Sequence, residues 1–195
     1  MKSENQTKKL NVKKSILLGS KTFNVNHQIT FAQASGDFNP IHISPLDARR
    51  TLYGECIVHG IHGLLWAIDL MPIKPKFTLE EIKVVFKKPI FLNKKITCYW
   101  NKEINIIRLF SRSTLLTEIS YKVINKTKSY KCFSLSTKNR LQVPSKINIE
   151  KLNLKTKQTH SFHGSLKVLK NLFPTFVKKF GKNLLLETAA LSEIV

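Results

Sequence analysis

Cysteine and the acidic residues are scarce in this 195-residue chain, and long apolar runs are absent. The three cysteines are odd in number and lack the spacing of a metal site, so we expect neither a disulfide framework nor a zinc finger. No apolar run reaches the roughly 18 residues that a membrane span needs, so we expect no transmembrane helix. Residues 1–14 are polar and basic, unlike a signal peptide, which favours a cytoplasmic protein.

The shortage of acidic residues leaves a strongly basic chain. Lys and Arg number 33 against 12 Asp and Glu, giving a formal net charge of +21. The electric field of so large a positive charge attracts polyanions and speeds encounter with them. The basic residues are scattered rather than arranged in a stripe, and no finger, helix-turn-helix or RNA-binding motif stands out. We therefore expect no nucleic-acid partner, and most of these residues fit an ordinary solvated surface.

Changes in composition along the chain divide it into four parts. Residues 1–15 are expected to be a flexible basic arm, and residues 16–137 one domain. Residues 138–158 are polar and contain a proline, which is typical of a linker. Residues 159–195 are expected to be a helical C-terminal extension.

The expected domain is α+β, with one buried helix followed by an antiparallel sheet. Residues 56–71 are apolar nearly all round, which is typical of a buried helix. The runs that follow are rich in β-branched and aromatic residues and are separated by polar turns. They predict strands at Phe77–Lys88, Lys95–Trp100, Ile104–Phe110, Leu115–Ile124 and Ser129–Thr137.

The most informative motif is Ser-Gly-Asp-Phe-Asn-Pro-Ile-His at residues 35–42. Pro40 disfavours regular helix and Gly36 permits unusual backbone angles, so we expect Asp37 and His42 to lie on a shaped loop. A carboxylate and an imidazole that face one water can add it to, or remove it from, an activated double bond. Gly-Asp and Asn-Pro pairs are also ordinary turn formers, so spacing alone leaves a structural turn open.

Three blocks of sequence carry a family resemblance. Residues 31–42 resemble the signature of MaoC-like acyl dehydratases, a family that includes (R)-specific enoyl-CoA hydratases. Gly54–Gly60 and Phe86–Phe91 are similar to two further blocks of that family. The resemblance implies the hot-dog fold, in which a curved antiparallel sheet wraps around one long helix, and it implies a homodimer and no cofactor.

The resemblance also implies roles for individual residues. Asp37 would take a proton from water as the water attacks C3 of a trans-2-enoyl thioester, while His42 would position the water and deliver a proton towards C2. Gly60, with its neighbour His59 at the start of the helix, would bind the thioester oxygen through a backbone N–H. Asn39 would support the loop through side-chain to backbone bonds.

Several alternatives stay open for residues near the motif. Gly60 and Gly63 would also suit close packing of a strand on the helix. His62 is either a core histidine or part of the acyl site. His59 and His62, three residues apart, share a helix face and, with Asp37 and His42, could bind a metal.

The C-terminal extension predicts a short helix at Ser165–Leu172, a break at Pro174 and a basic turn at Lys178–Lys182. A strongly apolar helix is expected from Asn183 onwards. Some MaoC-like proteins carry two hot-dog units, and this extension resembles the start of a second one. We expect either a truncated second unit or a tail that packs across a dimer.

The predicted function is a hydratase or dehydratase that acts on acyl thioesters of coenzyme A or of an acyl carrier protein. Both carriers are anionic, and the basic surface would attract them. A non-catalytic acyl-binding module is one alternative. A thioesterase of the same fold is another, with Glu55 as its nearest candidate acid. Trp66, Phe86 and Phe91 would line an acyl tunnel or simply pack the core.

Overall fold

The computed structural model describes residues 15–72, 77–125 and 163–193. Its five strands are β1 (Ile16–Thr22), β2 (Phe77–Phe86), β3 (Lys95–Asn101), β4 (Ile106–Ser111) and β5 (Thr114–Asn125). Its helices are α1 (Val25–Ser35), α2 (Pro40–Ile43), α3 (Pro45–Ala48), α4 (Gly60–Leu70), α5 (Leu166–Leu172), α6 (Pro174–Phe180) and α7 (Lys182–Ala190). A 3-10 turn follows at Leu191–Glu193.

The strands form one antiparallel sheet in the order β1-β3-β4-β5-β2. Asn105 and Arg112 adopt positive φ angles of 53° and 52° in the turns that reverse the chain between β3, β4 and β5. Register shifts in β2 and β4 are irregularities of the kind that bends and twists a sheet. The α+β hot-dog architecture predicted from the sequence is confirmed.

Helix α4 is the buried central helix, but it is shorter than the predicted span of 56–71. It begins at Gly60 because the backbone angles of the preceding residue, His59 (φ −53°, ψ 126°), are not helical. Residues just before it are extended instead, and Ile57 forms an isolated bridge with Phe91. A Cβ at Gly63 would lie 3.2 Å from Ile90 Cδ1, so a glycine there lets neighbouring chain approach the helix closely.

Helix α1 was not predicted from the sequence. Its start is fixed by Asn24, whose side chain accepts from the His27 backbone N–H, while the His27 ring bonds the Asn24 N–H in return. It ends at Gly36, which has a φ of 86°, a conformation that favours glycine. The loop expected at residues 35–42 ends in a single helical turn, α2, which begins at Pro40 and contains His42.

The C-terminal helices pack against the domain of the same chain. Leu185, Leu186 and Ala189 of α7 are buried in the common core. The basic turn predicted at Lys178–Lys182 is narrower than expected: residues 178–180 belong to α6, and the chain breaks at Gly181, before α7. The Lys179 amine instead donates to the carbonyls of Asp69 and Met71, which lie at the C-terminal end of α4.

Some predictions fall outside the described residues: the strand at 129–137, the linker at 138–158, and all but the last residue of the arm at 1–15. The second hot-dog unit and the tail shared across a dimer both stay predictions. Across the described ranges, every helix is too short or too polar to cross a bilayer.

Candidate active site

The loop between α1 and α2 is held by its own side chains. Asp37 Oδ1 accepts a hydrogen bond from the Asn39 backbone N–H at 3.1 Å. Asn39 Oδ1 in turn accepts from the Ile41 N–H at 3.2 Å and caps the start of α2. The structure therefore places Asn39 as an exposed support of the loop rather than at its reactive face.

His42 is tied to the strand-like segment before α4. Its Nδ1 lies 2.9 Å from the Ile57 carbonyl oxygen. Because a carbonyl only accepts, Nδ1 carries the proton, and the Nε2 of a neutral ring is left with a free lone pair. Burial lowers the pKa of His42, against the opposing effects of the Ile57 carbonyl and of Asp37. The uncharged ring, with Nε2 as an acceptor, is the form favoured at neutral pH.

His59 is fully buried and contacts both His42 and Asp37. Its ring stacks on His42 with centroids 3.9 Å apart. Its Nε2 is 3.1 Å from the Asp37 carbonyl oxygen and 3.7 Å from Asp37 Oδ2. Burial first, and then the charge of His42, lowers the pKa of His59 to about 4, despite the opposing influence of Asp37. A neutral His59 therefore supports the backbone of Asp37 from below.

Gln28 of α1 completes this support and was missed from the sequence. Its Oε1 accepts from the His59 backbone N–H at 3.1 Å and lies 2.9 Å from His59 Nδ1. Gln28 is fully buried, and its Nε2 has no hydrogen-bond partner. The capping pattern at Asn24 and Gly36 would have predicted α1, but nothing in the sequence pairs residue 28 with residue 59.

Asp37, His42 and His59 converge at one point. Each offers one potential ligand atom, and these atoms lie within 4.8 Å of one another. Three such residues are the number found in catalytic zinc sites. A neutral His59 has one N–H, however, and the Nε2 that supports Asp37 uses it to donate to the Asp37 carbonyl oxygen, so a metal bound there would have to displace that hydrogen bond. The set fits water better than a cation.

His62 lies apart from this cluster. It is completely buried, its ring stacks on Phe31 at 4.6 Å, and Phe23 and Phe173 meet it edge-on. Neither of its ring nitrogens has a hydrogen-bond partner. Burial holds the pKa of His62 well below its usual value of 6.5. The structure places His62 in the core, rather than beside His59 in a metal site.

Gly60 is the first residue of α4, where a backbone N–H has no partner inside the helix. The ring of Phe86 covers it: a Cβ at Gly60 would lie 2.9 Å from two ring carbons. A larger residue at position 60 would therefore require the half-exposed Phe86 ring to move. The close-packing alternative explains Gly60 as well as the oxyanion alternative does.

A groove of about 450 Å³ runs alongside α4, between strand β2 and helix α7. Its lining is mainly apolar, with Glu side chains at the rim: Ile61, Leu64, Leu79, Glu80, Glu81, Ile82, Val84, Phe86, Leu184, Glu187, Thr188 and Leu191. Phe86 lines this groove. Trp66 instead packs in the core against Phe23, with centroids 5.6 Å apart.

One further residue reaches the site from far along the chain. Ser192, in the 3-10 turn after α7, donates its hydroxyl to Asp37 Oδ2 at 2.8 Å. The sequence carries no signal for this contact, because 155 positions separate the two residues.

Known proteins resemble the N-terminal part of this chain. The family model described as MaoC like domain matches residues 11–126, which is more than half of the chain. The curated (R)-specific enoyl-CoA hydratase of Aeromonas caviae is 34% identical over 84 residues, which cover 40% of this chain and 60% of that protein. The match thus spans less than two thirds of the relative's length.

Two solved structures are also similar to this chain. An (R)-hydratase from A. caviae involved in PHA biosynthesis has 25% identity and a TM-score of 0.47, with 60% of this chain and 97% of that chain covered. An unliganded R-hydratase from Pseudomonas aeruginosa has 17% identity and a TM-score of 0.48, with 64% and 90% covered. With the family model matched across the strands, α4 and the Asp-His loop, this chain belongs to the MaoC-like domain family.

Proposed function

We propose that this chain adds water to trans-2-enoyl thioesters, or removes it from (3R)-hydroxyacyl thioesters, with Asp37 and His42 as the catalytic pair. The observation that carries the proposal is the convergence of the two groups: a carboxylate oxygen and a ring nitrogen lie within 4.8 Å, a gap that one water can bridge. The family match supports the same reaction class.

The protonation of the pair suggests how the step proceeds. The Nδ1–H of His42 is held by Ile57, so its Nε2 and the Asp37 carboxylate both accept hydrogen bonds, and together they can orient the two hydrogens of one water. As the water oxygen bonds to C3, the pair takes up one of its protons. The same proton is then passed to C2. Water adds across the double bond, and both side chains return to their starting states.

Negative charge that develops on the thioester oxygen needs a donor. The N–H of Gly60, at the N-terminus of α4, is the donor we propose, because helix N-termini favour negative charge. In this arrangement the Phe86 ring packs over Gly60, and the half-exposed ring would have to shift to admit the thioester. His59 would hold the Asp37 backbone from below.

The acyl chain would lie in the apolar groove between α4, β2 and α7, which begins beside Gly60 at Ile61 and Phe86. The carrier would be coenzyme A or an acyl carrier protein, whose negative charge the +21 chain attracts. We further propose a cytoplasmic homodimer. In the described part of the chain β2 is an edge strand, and edge strands favour pairing with another copy.

A thioesterase is less well supported, because its candidate acid, Glu55, is exposed and lies outside the cluster of ionisable groups. A non-catalytic acyl-binding module would have no need for the converging Asp37 and His42.

The test uses crotonyl-CoA beside its saturated counterpart butyryl-CoA. Hydration of crotonyl-CoA without release of free thiol from either substrate supports the proposal. Release of thiol from butyryl-CoA would indicate a thioesterase, and binding without any conversion would indicate an acyl-binding module. The same assay in excess chelator distinguishes metal-dependent from metal-free catalysis. Loss of activity in chelator would contradict a metal-free Asp-His pair.

A further inference from the structure

We propose that Ser192, contributed by the C-terminal extension, is a positioning residue for Asp37. Its hydroxyl holds the carboxylate in the orientation in which it faces His42. The kinetic part of this inference depends on the proposed hydratase function; the contact itself does not.

The two oxygens of the Asp37 carboxylate are held from opposite parts of the chain. Oδ1 accepts from the Asn39 N–H at 3.1 Å, and Oδ2 accepts from the Ser192 hydroxyl at 2.8 Å. One donor on each oxygen stops rotation about the last side-chain bond. Since a carboxylate offers about four acceptor positions, each oxygen keeps one for water.

The contact is shielded from solvent. Ser192 is 7% exposed, and the side chain of Asp37 is 11% exposed. A hydrogen bond to an ionised group in such surroundings is stronger than one at the surface, because little water competes for either partner. The Ser192 hydroxyl is therefore well placed to set the geometry of the carboxylate.

Ser192 is itself held by packing and hydrogen bonds. The helix before it, α7, buries Leu185, Leu186 and Ala189 in the core. The preceding helix, α6, is tied to the end of α4, where Asp69 Oδ1 accepts from the Phe176 N–H and the Lys179 amine donates to the Asp69 carbonyl oxygen. The extension thus carries Ser192 on a fixed support.

The extension lies outside the region that the MaoC-like family model matches, residues 11–126. The positioning contact is therefore a feature of this chain's own C-terminal segment. It gives the extension a role in the site, in addition to covering α4.

The kinetic test compares Ser192→Ala and Ser192→Thr with the wild-type chain on crotonyl-CoA. We expect kcat to fall about tenfold in the Ala variant, the effect of one lost charge-assisted hydrogen bond. KM should change little, because Ser192 touches the carboxylate and not the thioester, and Thr should restore most of kcat. Thr175→Ala is the matched control: it removes a hydroxyl from the same extension, away from Asp37, and should leave kcat unchanged.

An unchanged or increased kcat in Ser192→Ala would overturn the inference, and an increase would make the extension a cover over the site instead. Equal losses in the Ala and Thr variants would also overturn it, because the hydroxyl would then not be the group that matters.

A second measurement does not depend on activity. The free energy of unfolding is compared among the wild-type chain, Ser192→Ala, Asp37→Ala and the double variant. We expect the double variant to lose no more stability than the less stable single variant. Strictly additive losses would overturn the contact. If the wild-type chain hydrates no thioester, the proposed function fails, while this cycle still decides whether Ser192 holds Asp37.

Discussion

Two buried histidines make the stability of this fold sensitive to acid. His59 and His62 are fully buried, and burial lowers the pKa of both, to about 4 for His59 and well below 6.5 for His62. In the unfolded chain each histidine titrates near its usual value of about 6.5. Protons therefore bind the unfolded state first. The stability that the two neutral histidines contribute is fully present above pH 6.5. It is lost as the pH falls from there towards the folded-state pKa values.

The size of the effect follows from those values. At pH 5.5 an unfolded histidine is mostly protonated, whereas a folded histidine with a pKa of about 4 is almost entirely neutral. The difference lowers the free energy of unfolding by about 1.4 kcal/mol relative to pH 8. His62 acts in the same direction, because burial also holds its folded-state pKa well below 6.5, so we expect the two together to cost more than His59 alone.

His62→Leu isolates one of the two contributions. We expect it to reduce the acid-dependent loss between pH 8 and pH 5.5 by up to about 1.4 kcal/mol, the limit set by an unfolded-state pKa of about 6.5. At pH 8 its stability should stay within about 1 kcal/mol of wild type, because the lost ring packing is offset by removing two unpaired buried nitrogens. Urea unfolding at both pH values measures the difference. Leu65→Val, a change at another buried position of α4, is the control, and its stability loss should be the same at both pH values.

A His62→Leu variant that loses as much stability between pH 8 and pH 5.5 as the wild-type chain would refute this reasoning. It would mean that His62 is already charged in the folded state, or that it reaches solvent.

Three further outcomes are expected. Gly60→Ala places a Cβ 2.9 Å from the outer carbons of the Phe86 ring. Because this half-exposed ring can move, we expect the free energy of unfolding to fall by only about 1 kcal/mol, the low end of the cost of overpacking. A double variant with Phe86→Leu should regain part of the loss, and no loss in the single variant would contradict the close packing. Trp100→Phe removes the indole N–H that donates to the Tyr121 hydroxyl at 2.7 Å. We expect the free energy of unfolding, measured with urea, to fall by about 1–3 kcal/mol. An unchanged urea midpoint would contradict the contact. Burial lowers the pKa of His42, and the proposed step needs its neutral ring. We therefore expect the hydration rate to fall as the pH is lowered, with a midpoint below pH 6.5. A midpoint above pH 6.5 would contradict the assigned protonation.

The sequence predicted those elements whose pattern is local. Runs of β-branched and aromatic residues predicted β2 to β5, and the apolar run predicted α4. The start of α4 was placed four residues early, because residues 56–58 are as apolar as the helix but lie outside it, before the cap at His59. Periodicity alone does not distinguish the two.

The site shows the same division between local and distant contacts. Asp37 and His42 are five positions apart, and a short motif identified both. Gln28 supports His59 from 31 positions away, and Ser192 reaches Asp37 from 155 positions away. Such contacts depend on how α1 and α7 pack against α4, and no spacing in the sequence encodes that packing.

The most direct test of the central claim is the rate of crotonyl-CoA hydration by the wild-type chain and by Asp37→Asn at equal concentration. If Asp37 and His42 share the reacting water, the wild-type chain converts the substrate and the variant is at least about 100-fold slower, with its folded state retained. Equal rates in the two proteins, or no conversion by the wild-type chain across short and long enoyl thioesters, would contradict it.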